Sequence, residues 1–305
     1  MFPTEVTTAL LCPGQGSQAP GMLTPWLELD GARDRLAQWS QHCGLDLIRL
    51  GTTAEAEEIQ DTAVTQPLVV AATLLAAEYL PRDLPQDGPV AGHSVGELAA
   101  AAVAGVLAPD EAVALAAVRG REMAAACSAE PTGMAAVMLG EPDVVVEWLH
   151  ERGLEAANRN GAGQIVASGS AEAVESIVAE PLAGTKIRPL KVAGAFHTRY
   201  MAPAEEALRA HAEKLSPADP IRPLLSNADG EVVADGAEYL ARLVTQVTRP
   251  VRWDLTMRGL ATLGVERTVE LPPAGTLTGL VKRELKGVVT TPFALKTPAH
   301  LEELS

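Results

Sequence analysis

The sequence predicts an α/β protein in which a small ferredoxin-like unit is inserted into a larger, alternating α/β part. Three observations carry this. The apolar run Val90-Ala91 leads into Gly92-His93-Ser94-Val95-Gly96, and an Ala-rich helical segment, 98–106, follows directly. Short apolar runs alternate with helical periodicities over most of the 305 residues, as in a parallel sheet covered by helices. Between residues 132 and 192 the order changes to β-α-β-β-α-β, a split βαβ unit. Residues 1–128 and 197–305 are therefore assigned to the large part and 129–196 to the small one.

Taken in order, 7–12 reads as a buried strand ending in the loop Pro13-Gly14-Gln15-Gly16-Ser17-Gln18. That loop lacks the glycine spacings of nucleotide-binding motifs, but its backbone N–H groups suit an oxyanion hole. Residues 65–80 read as a helix, with Pro67 in its first turn and Pro81 as its stop. A turn at 85–89 leads into the Val90 strand. Pro109-Asp110-Glu111 opens a helix to about Cys127, with two acids where the helix dipole favours them. In the small unit, strands are expected at 133–139, 154–158, 164–168 and 185–192, and helices at 142–152 and 171–179. Gly-rich turns at 160–163 and 181–184 separate them. The large part resumes with helices at 201–215, 237–247, 253–263 and 276–285, and strands at 222–226, 268–271 and 288–295.

Hydrophobic residues at 47% and charged residues at 21% describe a folded chain, and aromatics at 3% leave the core to Ala, Val and Leu. The net charge of −15 argues against non-specific nucleic-acid binding, which needs a basic footprint. Cys12, Cys43 and Cys127 lie far apart, form no metal spacing and suit a reducing compartment. The first five residues lack the basic and apolar regions of a signal peptide, and no apolar run is long enough for a membrane span. The cytoplasm and a monomer are expected.

Gly-x-Ser-x-Gly between a strand and a helix reads as a nucleophile elbow, with Ser94 as the nucleophile. Side chains at Gly92 or Gly96 would crowd the neighbouring elements, and the helix N-terminus favours negative charge developing there. A serine hydroxyl needs a base. His150 and His211 lie in polar helical runs, His42 ends a helix, His300 is in the tail, and His93 points away from its neighbour Ser94. His197 remains, in a loop where the two parts meet. Asp229 and Asp254 are candidates to orient it, although both suit turn or helix-cap roles as well, and a backbone carbonyl would also serve.

Six blocks then carry a resemblance. They are Gly14-Gln15-Gly16-Ser17-Gln18, Gly92-His93-Ser94-Val95-Gly96-Glu97, Arg119-Gly120-Arg121-Glu122-Met123 and Asn158-Arg159-Asn160-Gly161-Ala162-Gly163-Gln164. Gly194-Ala195-Phe196-His197-Thr198 and Gln246-Val247-Thr248-Arg249-Pro250-Val251-Arg252-Trp253 complete the set. In this order the chain resembles, over essentially its whole length, the malonyl-CoA:acyl carrier protein transacylases of fatty-acid and polyketide synthesis, the actinobacterial members above all. The resemblance implies an α/β-hydrolase-like large domain and a ferredoxin-like small domain with the site between them. It also implies Ser94 as acyl nucleophile, His197 as base, the main-chain carbonyl of Gln246 holding the imidazole, and the N–H groups of Gln15 and Val95 as the oxyanion hole. By the same resemblance Arg119 pairs with the malonyl carboxylate, Phe196 narrows the space beside the malonyl α-carbon, and Gln66 and Asn160 fall at pocket positions. Malonyl-CoA is then the substrate and acyl carrier protein the partner, and no metal or bound cofactor is needed. Cys12, where phenylalanine is common, and Pro272-Pro273-Ala274-Gly275, in place of a glycine-richer loop, depart from the family pattern.

A planar guanidinium binds a carboxylate bidentately, whereas a pocket for apolar acyl chains has no use for a buried cation. Arg119 thus separates the transferase reading from its alternative, a serine thioesterase or lipase-like hydrolase. Carrier proteins are usually acidic, so docking on this acidic chain requires a local basic patch, with Arg188, Lys191, Lys282, Arg283 and Lys286 as candidates.

Overall fold

A computed structural model describes residues 7–304 apart from 83, 85 and 86. The stretch 1–5 lies outside the described residues, as does part of the expected turn at 85–89. Strand β1 (Thr8–Cys12) is followed by helices α1 (Ala32–Cys43), α2 (Leu47–Thr52) and α3 (Thr62–Glu78). Then come β2 (Val90–Gly92), α4 (Gly96–Val103), α5 (Pro109–Cys127), β3 (Thr132–Met138) and α6 (Pro142–Glu151). The chain continues through β4 (Glu155–Gly161), β5 (Gln164–Ser170), α7 (Ala171–Ala179), β6 (Lys186–Pro189), α8 (Ala202–Ala212) and α9 (Gly236–Thr245). It ends with α10 (Trp253–Thr262), β7 (Arg267–Glu270), α11 (Thr276–Glu284) and β8 (Thr291–Ala294).

The result is a mixed α/β protein with one parallel and one antiparallel sheet. The parallel sheet runs β2-β1-β7-β8, with Leu10 opposite both Val90 and Val269. Side chains alternate along β1: Leu10 and Cys12 enter the main core, while Ala9 and Leu11 meet Trp253, Met257 and Leu280 on the other face. Burial on both faces explains why this strand is almost continuously apolar. The antiparallel sheet runs β4-β5-β3-β6. Val137 and Ile165 pack with Trp148 and Leu149 of α6 and Val174 and Ile177 of α7, whereas Met134 and Val166 face the main core.

Two features fix the cleft between the sheets. Arg159 N donates to Val251 O at 2.9 Å and Val251 N to Ala157 O at 2.8 Å, a backbone splice between β4 and the segment before α10. Glu270, fully buried at the end of β7, accepts from the N–H groups of Gly275, Leu277 and Thr278 at 2.8, 2.9 and 2.7 Å. A carboxylate satisfying the free amides of a helix start anchors α11, which walls the cleft.

The structure differs from expectation in several elements. No strand forms at 222–226, because Pro223 has no N–H. Only the Pro223 carbonyl and the Leu225 amide bond Val90, giving the isolated bridge of Leu224 with Val90. Helix α3 starts at Thr62, capped by the Asp61 side chain on Ala63 N at 2.8 Å, so Pro67 lies inside it instead of in its first turn. The closing strand is confined to Thr291–Ala294, and the helix expected at 237–247 gives way to a 3-10 turn from Gln246 to Thr248. Helix α2 has no counterpart among the expected elements, and only the C-terminal end of α1, at His42-Cys43-Gly44, is legible beforehand.

Candidate active site

Ser94 sits between β2 and α4 with φ at 52°, in the left-handed region. A Cβ at Gly92 would lie 2.2 Å from the Gly96 carbonyl, and one at Gly96 would lie 2.2 Å from the Cys12 carbonyl. Both glycines are therefore required for the turn to pass so close to β1 and α4. Ser94 Oγ lies 2.8 Å from His197 Nε2. On the far side of the ring, Nδ1 lies 2.9 Å from the carbonyl oxygen of Gln246. A carbonyl only accepts, so the ring proton sits on Nδ1 and leaves the Nε2 lone pair for the serine hydroxyl. Neither candidate acid orients the ring: Asp229 pairs with Arg242 at 2.8 Å, and Asp254 with Arg252 at 2.9 Å.

His197 is 3% exposed, and burial, then the Arg119 guanidinium, push its pKa from 6.5 down to about 3. The imidazole is thus unprotonated through neutral and mildly acidic pH. Accordingly, kcat/KM for acylation of Ser94 should stay level across pH 6.5 and fall only toward 3, as a pH–rate profile will record. Stability carries the opposite sign of benefit. Unfolded histidine takes up a proton below 6.5 and the folded residue does not until about 3, so acidification through that window favours unfolding.

Arg119, on α5 and 3% exposed, is pushed down to about 10 by burial and remains charged at neutral pH. Its Nη1 donates to Gln66 Oε1 at 2.8 Å, and its Nη2 to Gln246 Oε1 at 3.0 Å and to Ser94 Oγ at 3.3 Å. Among the described residues it is thus bonded only to uncharged groups. Arg121, two residues on, is exposed and pairs with Glu122.

The Ser94 amide donates to Asn227 Oδ1 at 2.8 Å and the Gly96 amide to the His93 carbonyl at 2.9 Å. Among the described residues the amides of Gln15 and Val95 have no such partner. One cavity is lined by Gln15, Gln66, Ser94, Arg119, Asn160, Phe196 and His197. Asn160 Oδ1 lies 2.9 Å from His93 Nε2, and the His93 ring meets Trp253 edge-on at 5.5 Å, so His93 packs and does not serve Ser94. Arg188, Lys191, Lys282, Arg283 and Lys286 are all exposed. Lys191 stands between the cavity-lining Leu190 and Val192, and Lys282 and Arg283 extend α11 beyond the lining Leu277 and Leu280.

Two residues at the site escape sequence reasoning. Glu97 is 1% exposed on α4, and Asn227, fully buried, reaches the Ser94 turn through its side chain. The usable signal for Glu97 is an acid heading an otherwise apolar, Ala-rich helix. Asn227-Ala228-Asp229-Gly230 reads only as a turn. Among the described residues no cluster of His, Cys, Asp and Glu could hold a metal ion, and no helix is long and apolar enough to cross a membrane.

Residues 9–297 match the acyl transferase domain family. The malonyl CoA-acyl carrier protein transacylase of Mycobacterium tuberculosis is 55% identical over 300 residues, covering 97% of this chain and 99% of that protein. The crystal structure of the Mycobacterium tuberculosis enzyme superposes with a TM-score of 0.93 at 55% identity, over 97% of this chain and 99% of the other. A malonyl-transacylase in complex with a type II PKS acyl-carrier protein superposes with a TM-score of 0.89 at 28% identity, over 97% and 98% of the two chains. A strained serine, an imidazole held by a carbonyl and a guanidinium hydrogen-bonded to no acid in one cavity agree with these likenesses, and the chain belongs to the acyl transferase domain family, among the malonyl CoA-acyl carrier protein transacylases.

Proposed function

We propose that this chain transfers malonyl from malonyl-CoA to the phosphopantetheine thiol of an acyl carrier protein, through a malonyl ester on Ser94, for fatty-acid or polyketide synthesis. The observation that carries the reading is the buried Arg119 guanidinium 3.3 Å from Ser94 Oγ. Two N–H groups of Arg119 hold the malonyl carboxylate bidentately and aim the thioester carbonyl at Ser94. His197 Nε2 takes the hydroxyl proton as Oγ bonds the carbonyl carbon. The amides of Gln15 and Val95 stabilise the oxyanion, the carbon–sulfur bond breaks, and the imidazolium returns its proton to the departing coenzyme A sulfur. The carrier thiol then gives its proton to Nε2 and attacks the ester, and Ser94 leaves with that proton. A bound carboxylate cancels part of the repulsion by which Arg119 lowers the His197 pKa, so the imidazolium forms more readily with malonyl than with a neutral acyl group.

Phe196, 7% exposed, narrows the space beside the α-carbon, and Gln66 and Asn160 complete the pocket. Both displacements use only a hydroxyl, an imidazole and two thiols, so the reading requires no metal or bound cofactor. The order β4-β5-β3-β6, with α6 and α7 on one face, supports a ferredoxin-like reading of 129–196. The elbow after a parallel strand supports an α/β-hydrolase-like reading of 1–128 with 197–305. Three unpaired cysteines support a cytoplasmic setting.

Intact-mass measurement tests the reading. Malonyl-CoA should add one malonyl group to the wild type and none to Ser94→Ala, and acyl carrier protein should remove it faster than water does. Methylmalonyl-CoA should label poorly. Loss of the adduct to water at the same rate with or without carrier protein would make this a hydrolase.

A further inference from the structure

The Glu97 carboxyl takes part in none of the bond-making steps above, yet it joins the groups that do. It accepts from the Asn227 backbone N–H at 2.6 Å and from Gln246 Nε2. Asn227 in turn holds the elbow: its Oδ1 accepts from the Ser94 amide at 2.8 Å, and its Nδ2 donates to the Gly92 carbonyl at 2.7 Å. Gln246 holds both other catalytic groups. Its carbonyl accepts from His197 Nδ1 at 2.9 Å, and its side-chain Oε1 accepts from Arg119 Nη2 at 3.0 Å.

The direction of each bond is fixed by chemistry. Arg119 has only donors, so Gln246 must turn Oε1 toward it, which leaves its NH₂ for Glu97. The Ser94 and Asn227 amides also only donate, so Asn227 Oδ1 and Glu97 must accept. No side-chain amide in the circuit can turn over without two donors meeting. Burial pushes Glu97 up to about 8, against the pull of the Asn227 amide, Arg119 and the Tyr239 hydroxyl. The contacts with Asn227 and Gln246 are accepting ones whether or not the carboxyl carries a proton.

We infer that Glu97 is a positioning residue for acyl transfer: by accepting from Gln246 and Asn227 at once, it fixes the Arg119 guanidinium, the His197 ring and the Ser94 turn relative to one another. This rests on the malonyl-transfer reading of Arg119 and Ser94. It differs from a merely structural buried acid because the fork of Arg119, and with it the choice of acyl group, depends on which end of Gln246 faces it.

Glu97→Gln tests this. The new side chain keeps its shape and turns its oxygen to the Asn227 amide, so its NH₂ meets that of Gln246. Gln246 then turns over and presents donors to Arg119. Rates of Ser94 loading by malonyl-CoA and by acetyl-CoA, with the unfolding temperature, are measured in wild type and variant. The expected result is near-wild-type unfolding, malonyl kcat/KM lowered about 100-fold and acetyl kcat/KM lowered less than about 10-fold. Unchanged rates, or equal losses for both acyl groups, overturn the proposal. A wild type that malonyl-CoA does not load overturns the malonyl-transfer reading itself. Should Glu97→Gln fail to fold, the exchange Glu97→Gln with Gln246→Glu restores donor to acceptor between the two positions but sets a carboxylate against Arg119. Loading by acetyl and not by malonyl then supports the proposal, and wild-type malonyl loading overturns it.

Discussion

His197→Ala should slow acylation of Ser94 by about 10⁴-fold in kcat/KM, the upper range for loss of a positioned general base. The Nε2 atom lies 2.8 Å from Ser94 Oγ, and Nδ1 lies 2.9 Å from the Gln246 carbonyl. Removing the ring leaves the hydroxyl with Arg119 Nη2 at 3.3 Å, a donor that cannot take a proton. His93, already bonded to Asn160, is not placed to substitute. The loss should be large for malonyl-CoA and for acetyl-CoA alike, because both need the hydroxyl proton removed, and the larger for malonyl-CoA, whose carboxylate favours the imidazolium. Stopped-flow loading followed by intact mass reads both rates. A decline of less than tenfold would mean that another group deprotonates Ser94.

Arg119→Ala should behave differently. Malonyl kcat/KM should fall by about 10²–10³-fold, as expected when one member of a buried, hydrogen-bonded charge pair is truncated. Acetyl loading should be retained or improved, since the pKa of His197 is held down partly by this guanidinium. Arg119→Lys should recover only part of the malonyl rate, because an ammonium lacks the two-pronged geometry. The comparison is a competition between the two thioesters for one serine. An unchanged preference would show that Arg119 does not read the substrate carboxylate.

What the sequence discloses, and what it withholds, follows from the range of each interaction. The elbow is legible because Gly92, Ser94 and Gly96 meet their constraint within a few residues of chain, and β3 to β6 are legible because they are short runs separated by nearby turns and helices. His197 emerges only by setting aside the other histidines. The Gln246 carbonyl leaves no trace in residue type, since every residue carries the same acceptor, and that is why Asp229 and Asp254 compete with it until coordinates are at hand. Glu97 and Asn227 meet across a sequence separation of 130, and nothing local marks either as part of a site. The absent strand at 222–226 shows the reverse error: an apolar run was legible, but Pro223 removes the donor that a ladder needs.

The splice between Ala157, Arg159 and Val251 has a mechanical meaning. Two backbone hydrogen bonds make that flank of the cleft the spine of a book, with the two sheets as its covers. Another margin of the cleft is a cavity where the Gln15 loop faces Lys191 and Val192. On the transfer reading proposed above, a long, flexible thiol arm from a large partner would reach the cleft from that margin without disturbing the binding that keeps the covers aligned.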